Sequence, residues 1–226
     1  MSVELAARAA AALEGAEARD VVRWAVATFG RRLAVAASMQ DAVLPHLVSR
    51  ELPDVDVLFL DTGYHFEETL RTRDRVARAL PLTVVDVTPR QSVAEQDTEY
   101  GPRLHDRDPD LCCFLRKVDP LARALDGAYD AWVTGVRRDE APSRAATPVV
   151  AWDDTNGVVK VNPLVTWSLD DVHAYEEEHA LPVNPLTRSG YPSIGCAPCT
   201  RRVAPGEDPR SGRWAGTAKT ECGLHA

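Results

Sequence analysis

Five cysteines supply the most pointed chemistry in this sequence, and they fall into three groups. Cys112 and Cys113 are adjacent in LCCFLRK, Cys196 and Cys199 form a C-x-x-C pair in GCAPCTRR, and Cys222 stands alone in the closing stretch TAKTECGLHA. Four thiolates in two close groups satisfy the ligand count of an iron–sulfur cubane or of a structural zinc. The C-x-x-C pair is common to both. The tandem pair favours the cubane, because zinc sites usually separate paired ligands by two to four residues so that the loop wraps one ion, whereas a cubane offers separate iron atoms to neighbouring thiolates. Two plainer readings stand beside these. Cys196 and Cys199 could be a redox pair, although they do not follow the first strand of a βαβ unit, and Cys112 and Cys113 could be small buried hydrophobes. Cys222 stays unpaired in every scheme, so four plus one points to a cofactor and a separate nucleophile.

Cations gather beside these thiols. Arg116 and Lys117 follow the first pair, Arg201, Arg202, Arg210 and Arg213 follow the second, and Arg137, Arg138 and Arg144 fill GVRRDEAPSR. Guanidinium groups match phosphate and sulfate oxygens in two-pronged geometry. For any one of these residues a solvated surface position is the plainer reading; nine beside two cysteine pairs suggest an anion site. The stretch AASMQDAVLPHL joins a strand to a helix, where backbone N–H groups and the helix dipole would cradle an anion, with Ser38 and Asp41 as its useful polar groups. It contains neither G-x-G-x-x-G nor a Walker A motif. An ordinary turn with Ser38 capping the helix is the alternative.

The elements that must position these groups form an α/β pattern. Helical composition over 3–14 and 17–28, each followed by a glycine (Gly15, Gly30), precedes short branched apolar runs at 33–37, 56–60 and 82–87 that suit buried strands. Helical stretches at 41–50 and 66–80 separate them, and a fourth strand opens at Ala131 after a helix beginning near Cys112. This alternation predicts a mostly parallel central sheet with helices on both faces. A further helix starts near Ser168, with Asp171 placed for a capping box. From Leu181 onward the chain is rich in Pro and Gly and a large part of it reads by composition as disordered, but Cys196 and Cys199 give it an anchor. The expected organisation is a single α/β domain over 1–203 holding the four-cysteine site, and a mobile C-terminal tail over 204–226 carrying Cys222.

Composition sets the outer limits. The 226 residues are 45% hydrophobic and 27% charged, enough for one sizeable domain with appendages or two small ones. A net charge of −8 and a pI near 5.3 disfavour nucleic acid and anionic membranes as partners. Glu4, Arg8 and Glu14 interrupt any signal-like apolar run, so the expectation is a cytoplasmic protein whose cysteines act as ligands or catalysts. A homo-oligomer is compatible with the sequence.

Taken together, SMQDAV, LDTGYHFEETL, CCFLRKVDPL, TGVRRDEAPSRA, GCAPCTRRV and ECGLH, between Arg32 and His225, resemble the motifs of the assimilatory sulfonucleotide reductases, specifically the cluster-containing adenylyl-sulfate (APS) reductases of bacteria and plants. The resemblance implies a fold related to the PP-loop ATP pyrophosphatases (adenine nucleotide alpha hydrolase-like). It also implies a 4Fe-4S cluster on Cys112, Cys113, Cys196 and Cys199, with Cys222 as nucleophile. Lys117 would lie between cluster and substrate, Arg144, Arg210, Arg213 and His225 would contact the phosphosulfate, and the LDTG backbone around Leu60 to Gly63 would seat the adenosine. Where many relatives carry SxSGxED after the first strand, this chain has AASMQD, so Ala37 lacks a hydroxyl and the glycine is absent.

The implied reaction is thioredoxin-dependent reduction of APS to sulfite and AMP through an S-sulfonated cysteine, serving sulfate assimilation and cysteine biosynthesis. The nearest rival is reduction of 3'-phosphoadenylyl sulfate (PAPS), whose specialists generally lack the four cysteines. A PP-loop ATPase would need an SGGxDS loop, absent here, and a zinc-binding module would leave Cys222 without a purpose.

Overall fold

In a computed structural model, which describes residues 2–217 and 219–224, the branched apolar runs pair into one sheet. Its strands are β1 (Leu33–Ala36), β2 (Val55–Leu60), β3 (Leu82–Val87), β4 (Ala131–Val133), β5 (Val150–Asp153) and β6 (Val158–Val161). Their order is β3-β2-β1-β4-β6-β5. Every neighbouring pair is parallel except β5 with β6. The expected α/β class and mostly parallel sheet are therefore what the chain forms.

The helices are α1 (Val3–Leu13), α2 (Ala18–Phe29), α3 (Val43–Ser49), α4 (Glu67–Ala79), α5 (Val93–Tyr100), α6 (Leu104–Arg107), α7 (Pro109–Cys113), α8 (Asp119–Leu125) and α9 (Leu169–Glu178). Side chains alternate across the sheet as the pleat requires. Leu33, Val35, Val55, Val57, Phe59, Ala131 and Val133 face a larger core shared with α1, α2, α3, α4 and α9. Ala34, Leu58 and Trp132 face a smaller one closed by Leu121 and Leu125 of α8. Burial of Val21, Val22 and Phe29 fastens α2 to the sheet, each worth roughly 1.5–3 kcal/mol. The predicted capping box at α9 is present, with Asp171 N–H donating to Ser168 Oγ at 3.1 Å and Ser168 N–H to Asp171 Oδ2 at 2.7 Å.

Two connections matter for function. The sheet order reverses direction between β1 and β4, which opens a crevice beyond the carboxyl ends of the parallel strands. The loop leaving β1 runs along it, with Met39 fully buried at φ +58. That left-handed conformation is one a glycine adopts freely and a methionine does not. The missing glycine of the loop is thus replaced by a residue held in a glycine-like conformation. Asn184 Nδ2 donates to Met39 O at 3.3 Å, and Ile194 N–H donates to Gln40 Oε1 at 2.9 Å.

Beyond residue 203 the chain turns back on the body. Arg201 N–H donates to Gly212 O at 2.9 Å, Thr200 and Arg213 form an antiparallel bridge, and Trp214 is buried with its backbone N–H donating to Cys199 O at 3.0 Å.

Candidate active site

The four clustered cysteines arrive on two elements. Pro109 at the first turn of α7, and Asp108 Oδ1 accepting Leu111 N–H at 2.9 Å, start the helix that buries Cys112 and Cys113. The helix then widens into a π-helical turn, Phe114–Val118, that presents Arg116 and Lys117 before α8 begins. Cys196 and Cys199 lie on a short 3-10 turn held by Ala197 N–H donating to Tyr64 O at 2.7 Å. The four side chains line a single pocket with Arg116, Lys117, Arg213 and Trp214. All five cysteines of the chain are unpaired.

This pocket suits an iron–sulfur cluster. Burial, followed by the mutual charge of the thiols, pushes Cys112 up to about 12 and Cys199 up to about 11. A cationic group bound beside Cys112 and Cys199 would offset that cost and favour their thiolates. Arg116 Nη2, Arg213 Nε and Trp214 Nε1 are buried donors without a partner among the described residues, and their side chains line the same pocket. Unmatched donors around a sulfur-lined space fit a group rich in sulfur acceptors.

A second cavity, of about 210 Å³, occupies the crevice at the carboxyl ends of β1, β2 and β4. Ser38, Asp41, Leu60, Lys117, Arg144, Arg210, Arg213 and Cys222 all line it, alongside apolar Leu44, Leu164, Val172 and Ile194. Lys117 and Arg213 line both cavities, so they stand between the four cysteines and Cys222. Gly63 is not on this wall; it turns the chain after β2 at φ +71, its N–H on Asp61 Oδ1 at 3.0 Å. His225 lies outside the described residues. Ser38 does not cap α3, where Asp41 Oδ1 accepts Val43 N–H at 3.0 Å. Burial raises the Asp41 carboxyl above its ordinary value, and burial together with the charge of Asp41 lifts Glu176 of α9 to about 7.

The cations divide into two kinds. Lys117 and Arg213 have no carboxylate partner among the described residues, and Arg213 reaches Ser193 Oγ and Ile194 O, each at 3.3 Å. Burial works against the Lys117 ammonium, yet the thiols of Cys196, Cys222 and Cys113 outweigh it and hold it above its ordinary value. Arg213 needs Gly195 beneath it: a Cβ there would sit 2.2 Å from Nη2. Arg144 and Arg210 are instead bound by Glu221, the residue before Cys222. Glu140 and Glu221 also line the cavity, and sequence reasoning passed over both, although Glu221 lies within ECGLH. Sequence reasoning also passed over Leu224 on the same wall, whose carbonyl accepts Lys160 Nζ at 3.2 Å.

Residues 32–202 match the model of a family described as the phosphoadenosine phosphosulfate reductase domain. The chain is 61% identical over 221 residues to the adenosine 5'-phosphosulfate reductase of Streptomyces coelicolor, a match covering 98% of this chain and 93% of that protein. Among solved structures it is similar to the phosphoadenylyl-sulfate reductase of Candida auris in its phosphate complex, with a TM-score of 0.73 and 30% identity over 90% of this chain and 98% of that one. Likeness to the FMN adenylyltransferase of Candida glabrata, at TM-score 0.57 and 14% identity over 82% of this chain and 64% of that one, shows the fold alone, the PP-loop α/β arrangement.

Proposed function

The chain belongs to the phosphoadenosine phosphosulfate reductase family, and from that premise we propose that it reduces APS to sulfite and AMP, with Cys222 as the attacking thiol. The observation that carries this reading is the position of Cys222 on the wall of one cavity with Lys117, Arg210 and Arg213. APS is the favoured substrate over PAPS because the relative named for APS is 61% identical, against 30% for the one named for PAPS, and because four cysteines share one pocket.

In the first step Cys222 Sγ forms a bond to the sulfur of APS while the bond from that sulfur to the phosphate oxygen breaks, and AMP leaves with the electron pair. Two anions must approach, so the work of the chain is to hold the thiolate in line and to offset the charge on the departing phosphate. Lys117 and Arg213, which have no carboxylate partner among the described residues, are the cations most available for that task. In the second step a thiol of reduced thioredoxin, or of a similar dithiol donor, attacks Cys222 Sγ. Sulfite leaves with the electrons of the sulfur–sulfur bond, and the donor's second thiol then restores Cys222 and departs as a disulfide. Both electrons therefore come from thiols.

Cys112, Cys113, Cys196 and Cys199 would hold a 4Fe-4S cluster, which when bound supplies an electrostatic platform behind Lys117 rather than electrons. This activity would serve sulfate assimilation and cysteine biosynthesis. Five unpaired cysteines suit the reducing cytoplasm; among the described residues no helix is long and apolar enough to cross a membrane.

The test is peptide mass spectrometry of the cluster-loaded protein after anaerobic incubation with APS and no thiol donor. A sulfonate adduct on Cys222 is the expected result. An unmodified Cys222 in protein that binds APS would overturn the assignment. Competition kinetics between APS and PAPS decide the substrate.

A further inference from the structure

Among the described residues of the tail, Glu221 makes the most extensive ion contact. Its carboxylate meets Arg144 with two prongs, Nε to Oε1 at 2.8 Å and Nη2 to Oε2 at 2.7 Å, and also accepts Arg210 Nη2 at 3.2 Å and Ser143 Oγ at 3.2 Å. The third nitrogen of Arg144, Nη1, lies on Glu140 Oε2 at 2.5 Å. Arg144 is therefore engaged by carboxylates through all three nitrogens, in a buried setting where charge-assisted contacts are strong and directional. On the other side of Cys222, Leu224 packs against the core of Ala34, Leu58 and Trp132. Its carbonyl takes the Lys160 ammonium, which itself lies 5.2 Å from the centre of the Trp132 ring. Gly223, at φ +82, makes the bend between these two attachments.

We infer that Glu221 is a positioning residue for the transfer step: by gripping Arg144 and Arg210 it fixes the nucleophile-bearing tail, so that Cys222, flanked by this ion contact and by the Leu224–Lys160 contact, faces the cavity. Arg144 is then the receptor for the tail, and contact with the substrate's anion falls to Lys117, Arg213 and the free donors of Arg210. This inference rests on the proposed reaction, since its main readout is transfer to Cys222. Burial works against the charge of Glu221, but the hydrogen bond and charge of Arg144 hold its carboxyl below the ordinary value, so the grip is charged at neutral pH.

The experiment compares cluster-loaded wild type with Glu221→Gln and Glu221→Asp. Three quantities are measured: the single-turnover rate of Cys222 sulfonation at saturating APS, the affinities for AMP and for APS (the latter in a Cys222→Ser background), and the rate of Cys222 alkylation without nucleotide. Glu221→Gln is expected to slow sulfonation by about 10- to 100-fold, the scale on which misplacing a reacting group acts. Both affinities should stay within about twofold, well under the tenfold that 1.4 kcal/mol represents, and alkylation should accelerate. Glu221→Asp, which keeps the charge on a shorter arm, should fall between.

Tighter nucleotide binding by Glu221→Gln would overturn the inference, because Glu221 would then be occupying the substrate's own place. Weaker binding would overturn it too, making Glu221 a support of the substrate pocket. Unchanged sulfonation and alkylation would show that the contact positions nothing. Should wild type itself form no adduct, the proposed reaction fails, while the alkylation comparison still reports whether Glu221 holds the tail.

Discussion

Thr62 Oγ1 lies 3.3 Å from Cys196 Sγ, and the backbone carbonyl of Thr62 accepts Arg116 Nη1 at 2.9 Å. One fully buried residue in the turn after β2 thereby ties together the two elements that bring the four cysteines into a single pocket. Removing the hydroxyl should loosen that junction without removing a ligand. Thr62→Val is expected to retain iron as purified but to lose it faster to a chelator. Cys196→Ala should fail to hold the cluster at all. Iron and acid-labile sulfide per chain, followed against time, check both.

Cys222→Ser should abolish sulfite production while leaving the cluster's visible absorbance unchanged, because Cys222 shares the crevice with the cations and is not among the side chains of the four-cysteine pocket. Steady-state assay beside an absorption spectrum of the same sample reads both. Near-normal turnover would remove Cys222 from the role of nucleophile.

Lys117→Gln and Arg213→Gln should each lower kcat/KM by about 10²- to 10³-fold, the range found on deleting a preorganised donor that faces developing charge. Arg202, exposed and stacked 5.7 Å from the Tyr191 ring centre, provides the control. Arg202→Gln should leave kcat/KM unchanged although it removes the same formal charge.

Glu176 sets a pH-dependent stability. Its folded-state pKa, raised to about 7 from 4.5 by burial and by Asp41, means the folded protein binds more protons than the unfolded chain between those values. The sign follows: its contribution is complete below pH 4.5, declines as pH rises toward 7, and stays low above that. Glu176→Gln should therefore raise Tm at pH 8, change it little at pH 4.5, and flatten the profile between. Thermal unfolding across that pH range is the check, and a lower Tm for the variant at pH 8 would refute it.

The sequence disclosed the framework where the physics is local. Branched apolar runs placed β1 to β4, and the Ser168–Asp171 spacing placed the start of α9, because burial and capping act within a few residues. The antiparallel β5–β6 edge was not legible, since its four-residue strands include Asp153 and Lys160 and offer no long apolar run. The π-helical turn at Phe114–Val118 has the composition of an ordinary helix. Among the site residues, the cysteine spacing was visible as a pattern, but the division of the cations was not. That division depends on Glu221, 77 positions from Arg144 in sequence, and only folding brings the two together. Gly63 likewise shares its motif with Leu60 yet serves the turn rather than the cavity wall.

Buried Trp214, whose backbone N–H is fixed to Cys199, pins the segment that carries Cys222. Cys222 lies eight positions further along the chain, so a released thiol could travel at most roughly 26–29 Å from that pin. It could meet a reducing protein well clear of the crevice, yet its return would remain a unimolecular event at millimolar-scale effective concentration. Recharging of the thiol should therefore depend on how much donor protein is present, whereas re-entry into the crevice should not depend on the concentration of anything.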